Sequence, residues 1–121
     1  MISSVVRARF CESLARVSTL GAPRFDLFLL GMFSMVDAIL GLPMERAVGD
    51  LPVSSTVRGA LVHGEGRIGA VLRLDEAQER ASWEEFQGIA AVLRLDLEQV
   101  TRLYVEAVEW ANRVFAEAKA A

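Results

Sequence analysis

From Phe25 to Leu42 the sequence FDLFLLGMFSMVDAILGL sets apolar side chains on nearly every side of the helix that its spacing predicts. A helix without a polar face has to be enclosed by protein or lipid. Only the ten residues between Asp26 and Asp37 are free of charge, and a bilayer span needs about 20 predominantly apolar residues, so the segment is too short to cross a membrane. It reads as a buried central helix.

Around it the pattern predicts further helices. Val5, Val6, Phe10, Leu14 and Val17 fall at mostly helical spacing between Ile2 and about Thr19, ahead of the breaker Gly21-Ala22-Pro23. Pro23 suits the first turn of the second helix, and Gly41-Leu42-Pro43 stops it. Gly31, inside that helix, permits another backbone to approach closely. A short helix from Pro43 to about Val48 follows, and Ser54 or Ser55 is placed to cap a helix holding Val57, Ala60, Leu61 and Val62. After Gly64-Glu65-Gly66, a fifth helix carries Ile68, Val71, Leu72 and Leu74, then turns charged through Asp75, Glu76, Glu79 and Arg80. Ser82 with Glu85 and Asp96 with Gln99 have capping-box spacing, so two more helices begin near Trp83 and Leu97. The last is the clearest amphipathic helix, with Val100, Leu103, Tyr104, Ala107, Val108, Ala111, Val114, Phe115 and Ala118 three or four apart. No segment alternates with the period of a half-buried strand. The expectation is an all-α fold of about seven helices forming one domain over residues 1–121, a length that supports one hydrophobic core.

Composition adds a surplus of apolar residues: 53% of the chain, against about 45–50% in an average globular domain. That surplus needs either unusually complete packing or a partner. The formal charge of −3 hides an asymmetry, because residues 1–74 hold eight Arg against six acids and residues 75–121 hold five basic residues against ten acids. No basic run with interleaved aromatics exists, so the electrostatic footprint of nucleic-acid binding is absent. Cys11 is the sole cysteine, which excludes an internal disulfide and fits a reducing cytoplasm, and its place between Phe10 and Leu14 reads as a small buried apolar side chain. No secretory signal pattern opens the sequence.

Candidate chemistry is sparse. One His and one Cys give little with which to build a transition-metal site, so no metal and no cofactor is expected. His63 reads as the C-terminal residue of a helix ended by Gly64. Asp26 and Asp37 lie eleven residues apart, roughly 16 Å along a helix, too far for paired acid–base work. Asp26 suits the positive N-terminal end of its helix; Asp37, if buried, would need Arg7, Arg9 or Arg73. GEGRIG at 64–69 lacks the strand and lysine of a phosphate-binding loop and reads as an interhelical turn. Ser34 has no His near it in sequence to serve as its base. No catalytic residue is assigned.

The phrases VRARFCESLA at 6–15, FDLFLLGMFSMVDAILGLPMER at 25–46, LPVSSTVRGALVHGEGRIGAVLRL at 51–74 and LYVEAVEWA at 103–111 closely resemble one family. It is the HDOD, or HD-related output domain, family, specifically its C-terminal part in bacterial proteins that join it to an EAL cyclic di-GMP phosphodiesterase domain. The resemblance implies an all-helical domain related to the HD phosphohydrolases, without their metal-binding histidines and aspartates, that serves in signalling. A complete domain of this kind is expected to carry more helices before VRARFCESLA, with an EAL domain further upstream. The sequence therefore reads as a shortened gene product, an excised piece or a short stand-alone relative.

Missing helices would uncover the 25–42 segment, and exposing a few hundred Å² at about 25 cal/mol per Å² costs several kcal/mol. The expectation is a homo-oligomer whose interface uses the first two helices. The function expected is a non-catalytic signalling or scaffold module binding a protein partner or an upstream EAL-type domain, not nucleic acid or a membrane. Arg7, Arg9 and Arg16, together with Phe28, Met32 and Met35, are the candidate interaction residues. The alternative is a small-molecule or nucleotide sensor, or an enzyme, with an interhelical pocket.

Overall fold

The computed structural model describes residues 2–120, and among them every regular element is a helix. In chain order these are α1 (Ile2–Leu14), α2 (Arg24–Phe33), α3 (Val36–Leu40), α4 (Met44–Ala47), α5 (Ser55–His63), α6 (Gly66–Glu79), α7 (Trp83–Val92) and α8 (Leu97–Ala120). The all-α expectation holds. The eight segments are the expected helices with the second divided in two.

The division corrects the reading of 25–42 as one buried helix. Ser34 Oγ donates to the Gly31 carbonyl at 2.7 Å, and such back-bonding competes with the helical ladder. Met35 then leaves helical geometry at φ −115°, ψ 8° before α3 begins. Only Leu27, Leu30 and Gly31 of α2 are buried and no residue of α3 is, while Phe25, Ile39 and Leu40 are 66%, 60% and 55% exposed. The central helix is instead α6, which buries Ile68, Gly69, Ala70, Val71, Leu72, Leu74, Asp75 and Ala77 and packs against α7, α5, α1 and α2.

On the other side α1 packs most extensively against α2 and α8, burying Phe10, Cys11 and Leu14. The α1–α2 crossing depends on Gly31: a Cβ there would lie 2.5 Å from the Arg7 carbonyl group and the Ala8 nitrogen. The Phe10 ring meets Tyr104 of α8 edge-on at 5.4 Å. Arg9 pairs with Glu12 at 3.0 Å and sits 5.1 Å from the Trp110 ring. The expected extension of α1 toward Thr19 becomes a tight turn, with Ala15, Arg16 and Val17 bonding three residues back; Val17, Ser18 and Thr19 are weak helix formers.

Ser54 and Asp96 cap their helices where the sequence places them. Ser54 Oγ accepts from the Val57 N–H at 3.2 Å and donates to Asp26 at 3.3 Å, tying the start of α5 to the first turn of α2. Asp96 caps α8 through the Gln99 N–H at 3.1 Å. Ser82 precedes α7 without capping it; its hydroxyl donates to Glu85 Oε2 at 3.4 Å, an oxygen that Arg80 also holds at 3.0 Å. Gly64 ends α5 in the left-handed conformation, φ 67°, and Gly69 packs directly on the Gly64 backbone; the turn of GEGRIG is confined to Gly64-Glu65, and the rest, expected in the turn, opens α6. No helix among the described residues is long and apolar enough to cross a membrane.

Candidate functional site

Helical spacing sets Asp75 four residues after Val71, three after Leu72 and four before Glu79, on the face that α6 turns inward. Asp75, the first residue of the charged stretch that ends the helix, is fully buried. The spacing carries the signal, since Asp75 continues the Ile68-Val71-Leu72 stripe.

Arg7 of α1 meets this face. Its Nε donates to Glu79 Oε2 at 2.8 Å and its Nη2 to Oε1 at 2.7 Å, a bidentate pair. Nη1 donates to Ser34 Oγ at 3.1 Å, so one guanidinium touches α6 and the break after α2 from its seat on α1. Asp75 Oδ2 lies 3.1 Å from Arg7 Nε, yet neither Asp75 oxygen receives a hydrogen bond. The Arg7 N–H groups are committed to Glu79 and Ser34.

Charge follows from this geometry. Burial pushes the Asp75 carboxyl up to about 9, helped by the neighbouring Glu79 carboxylate, with Arg7 only partly opposing. Burial resists ionisation of Glu79 too, but the two hydrogen bonds from Arg7, and its charge, outweigh it and hold Glu79 below its ordinary value. For Arg7, burial works against the charged form and the Glu79 bond prevails, raising it. The thiol of Cys11 and the phenol of Tyr104 are both raised, first by burial and then by the charge of Asp75.

Beside the cluster a cavity of about 370 Å³ lies between α1, the end of α6 and α8, lined by Ser3, Val6, Glu79, Tyr104, Val108 and Asn112. Its one charged wall is the Glu79 carboxylate. A second hollow of about 240 Å³ is lined by Glu45, Ser55, Arg58, Gly59, Val62 and His63, where Arg58 is spent on the carbonyls of Val48 and Leu51. Among the described residues no three His, Cys, Asp or Glu side chains gather as metal ligands. Neither hydroxyl nor thiol stands as an activated nucleophile: Ser34 donates to a carbonyl, and Cys11 is buried with its thiol held neutral.

The candidate interaction residues separate. The Arg7 side chain is only 11% exposed, within the ion cluster. Arg9 is half-buried between Glu12 and Trp110, and Arg16 is exposed in the turn after α1. Phe28, Met32 and Met35 are half-buried on and just after α2. Asp37 makes no Arg pair; its Oδ1 accepts from the Ala38 N–H at 2.8 Å.

Over 111 residues, 92% of its length, the chain is 37% identical to the cyclic di-GMP phosphodiesterase CdgJ of Vibrio cholerae and 32% identical to the uncharacterized protein YuxH of Bacillus subtilis. The match takes in 26% of each, so the chain spans about a quarter of the length of these curated relatives. No family model matches the chain, and no solved structure matches it significantly. This all-helical chain is thus similar, along nearly all of its length, to a quarter-length segment of a cyclic di-GMP phosphodiesterase.

Proposed function

We propose that the chain is a non-catalytic output module of cyclic di-GMP signalling, of the HDOD kind, acting through helix faces. The observation that carries this reading is the exposed apolar surface of α2 and α3, where Phe25, Ile39 and Leu40 stand more than half exposed. Exposed apolar side chains gathered on one surface are what protein–protein contacts use. The similarity to a phosphodiesterase segment supports the signalling context, and the partner most consistent with it is an EAL-type catalytic domain. A second copy of the chain is a further candidate for the same surface.

The groove between α1 and α8 favours a sensor less well. A cyclic dinucleotide carries two phosphates, and none of the residues lining this groove is cationic, so the groove offers them no matching charge.

The test is to measure cyclic di-GMP hydrolysis by the chain alone, and by an EAL-type phosphodiesterase domain with and without it. The expected result is no turnover by the chain, a changed rate for the enzyme, and loss of that change in an Ile39→Glu, Leu40→Glu variant. Turnover by the chain itself, abolished by substituting one of its own residues, overturns the reading.

A further inference from the structure

We propose that Asp75 and Glu79 hold a single proton between them, making the Arg7 clasp that fastens α1 to α6 neutral overall and weaker as the pH rises. Two carboxylates face one guanidinium here, and the geometry says which of them is charged. Glu79 takes both ends of the bidentate contact, at 2.7 and 2.8 Å, and its side chain is 26% exposed. Asp75 is fully buried; Arg7 Nε lies 3.1 Å from its Oδ2 but donates to Glu79, and neither Asp75 oxygen accepts a hydrogen bond.

An ionised Asp75 would be a second anion, fully buried, against a guanidinium already bonded to Glu79, with no N–H donated to it, an unfavourable state for a buried charge. Protonated, it supplies its own donor to Glu79, one turn further along α6. The proton thus satisfies Asp75, adds a donor to the Glu79 carboxylate and leaves one negative charge to match Arg7. The two groups titrate as a pair.

The surrounding charges agree. Those acting on Asp75 are Arg7 from α1 and Glu76 and Glu79 from α6. Arg80, just past α6, acts on Glu79. Cys11 from α1 and Tyr104 from α8 are the other titratable neighbours, and both are held neutral. The end of α2 contributes the uncharged Ser34 hydroxyl, and α5 and α7 add none of the charges acting on Asp75.

The sign follows from linkage. A carboxyl raised in the folded state to about 9 gives stability that is complete below its unfolded value near 4 and is lost as the pH climbs through the folded value. Between those limits the folded chain holds one proton more than the unfolded chain at this site.

Two measurements on the full chain decide the matter. Carbon-13 NMR of the side-chain carboxyls should show Asp75 protonated at pH 7 and titrating only under alkaline conditions, with Glu79 ionised throughout the neutral range; an Asp75 ionised at pH 7 overturns the proposal. Urea unfolding of the chain and of Asp75→Asn, which mimics the protonated acid, should give unfolding constants whose ratio rises about tenfold per pH unit from pH 6 to 8. A ratio flat with pH overturns it. Should Asp75→Asn fail to fold, the NMR titration of the unaltered chain still decides.

Discussion

Gly31 and Asp75 show what single residues contribute to this fold. A methyl group at Gly31 would press on the α1 backbone at Arg7 and Ala8, 2.5 Å away, and backbone cannot swing aside as a side-chain tip can. Gly31→Ala should therefore destabilise the chain by about 1–3 kcal/mol, the usual range for overpacking, despite the gain of about 1 kcal/mol in helix propensity. Urea unfolding measures it, and an Ala variant of equal or greater stability would refute the close crossing. Gly31 is legible in the sequence because a glycine amid bulky apolar neighbours needs a packing reason. Asp75 is half legible: its spacing belongs to the apolar stripe, but its partner Arg7 lies 68 positions earlier in the sequence. Only the folded arrangement joins the two.

At the scale of elements, local signals locate most helix ends. Ser54, Gly64 and Asp96 stand where the backbone needs a cap or a left-handed turn, and each is a chemical choice made within four residues. The fate of the apolar run at 25–42 is a different kind of question. Hydropathy shows that the run must be covered; it does not say by what, and it does not register Ser34, whose hydroxyl bonds to Gly31 and receives Arg7. The break after α2 starts from the local bond of Ser34 to Gly31 and is met by Arg7 of α1, a partner that no window of local sequence contains. The central role passes to α6, whose two ends look polar, because α7, α5, α1 and α2 surround its middle.

For the whole molecule, the apolar surplus seen in composition resolves into a closed core and uncovered surface. The core takes α1, the inner face of α2, α5, α6, the inner face of α7 and the inner face of α8. The surface keeps Phe25, Ile39 and Leu40 at one region of the chain, with Trp83 and Val92 on α7. Self-association through α2 and α3 would bury the first group. Sedimentation equilibrium across a dilution series should show dimers or larger species, and the Ile39→Glu, Leu40→Glu variant should shift them to monomer without loss of helicity. A parent chain that is monomeric at every concentration would rule this out and leave that surface to a different protein.

Cys11 lies fully enclosed beneath α1, and it is the only thiol in the chain. A thiol-reactive reagent can reach it only when α1 lifts, so the rate of alkylation under native conditions counts those openings one by one. The native chain should react far more slowly than the chain in urea, and Arg7→Met, which removes the guanidinium but keeps the bulk of its stem, should speed the native reaction. The chain thus carries a built-in clock for the detachment of its first helix, readable by mass spectrometry without adding a label.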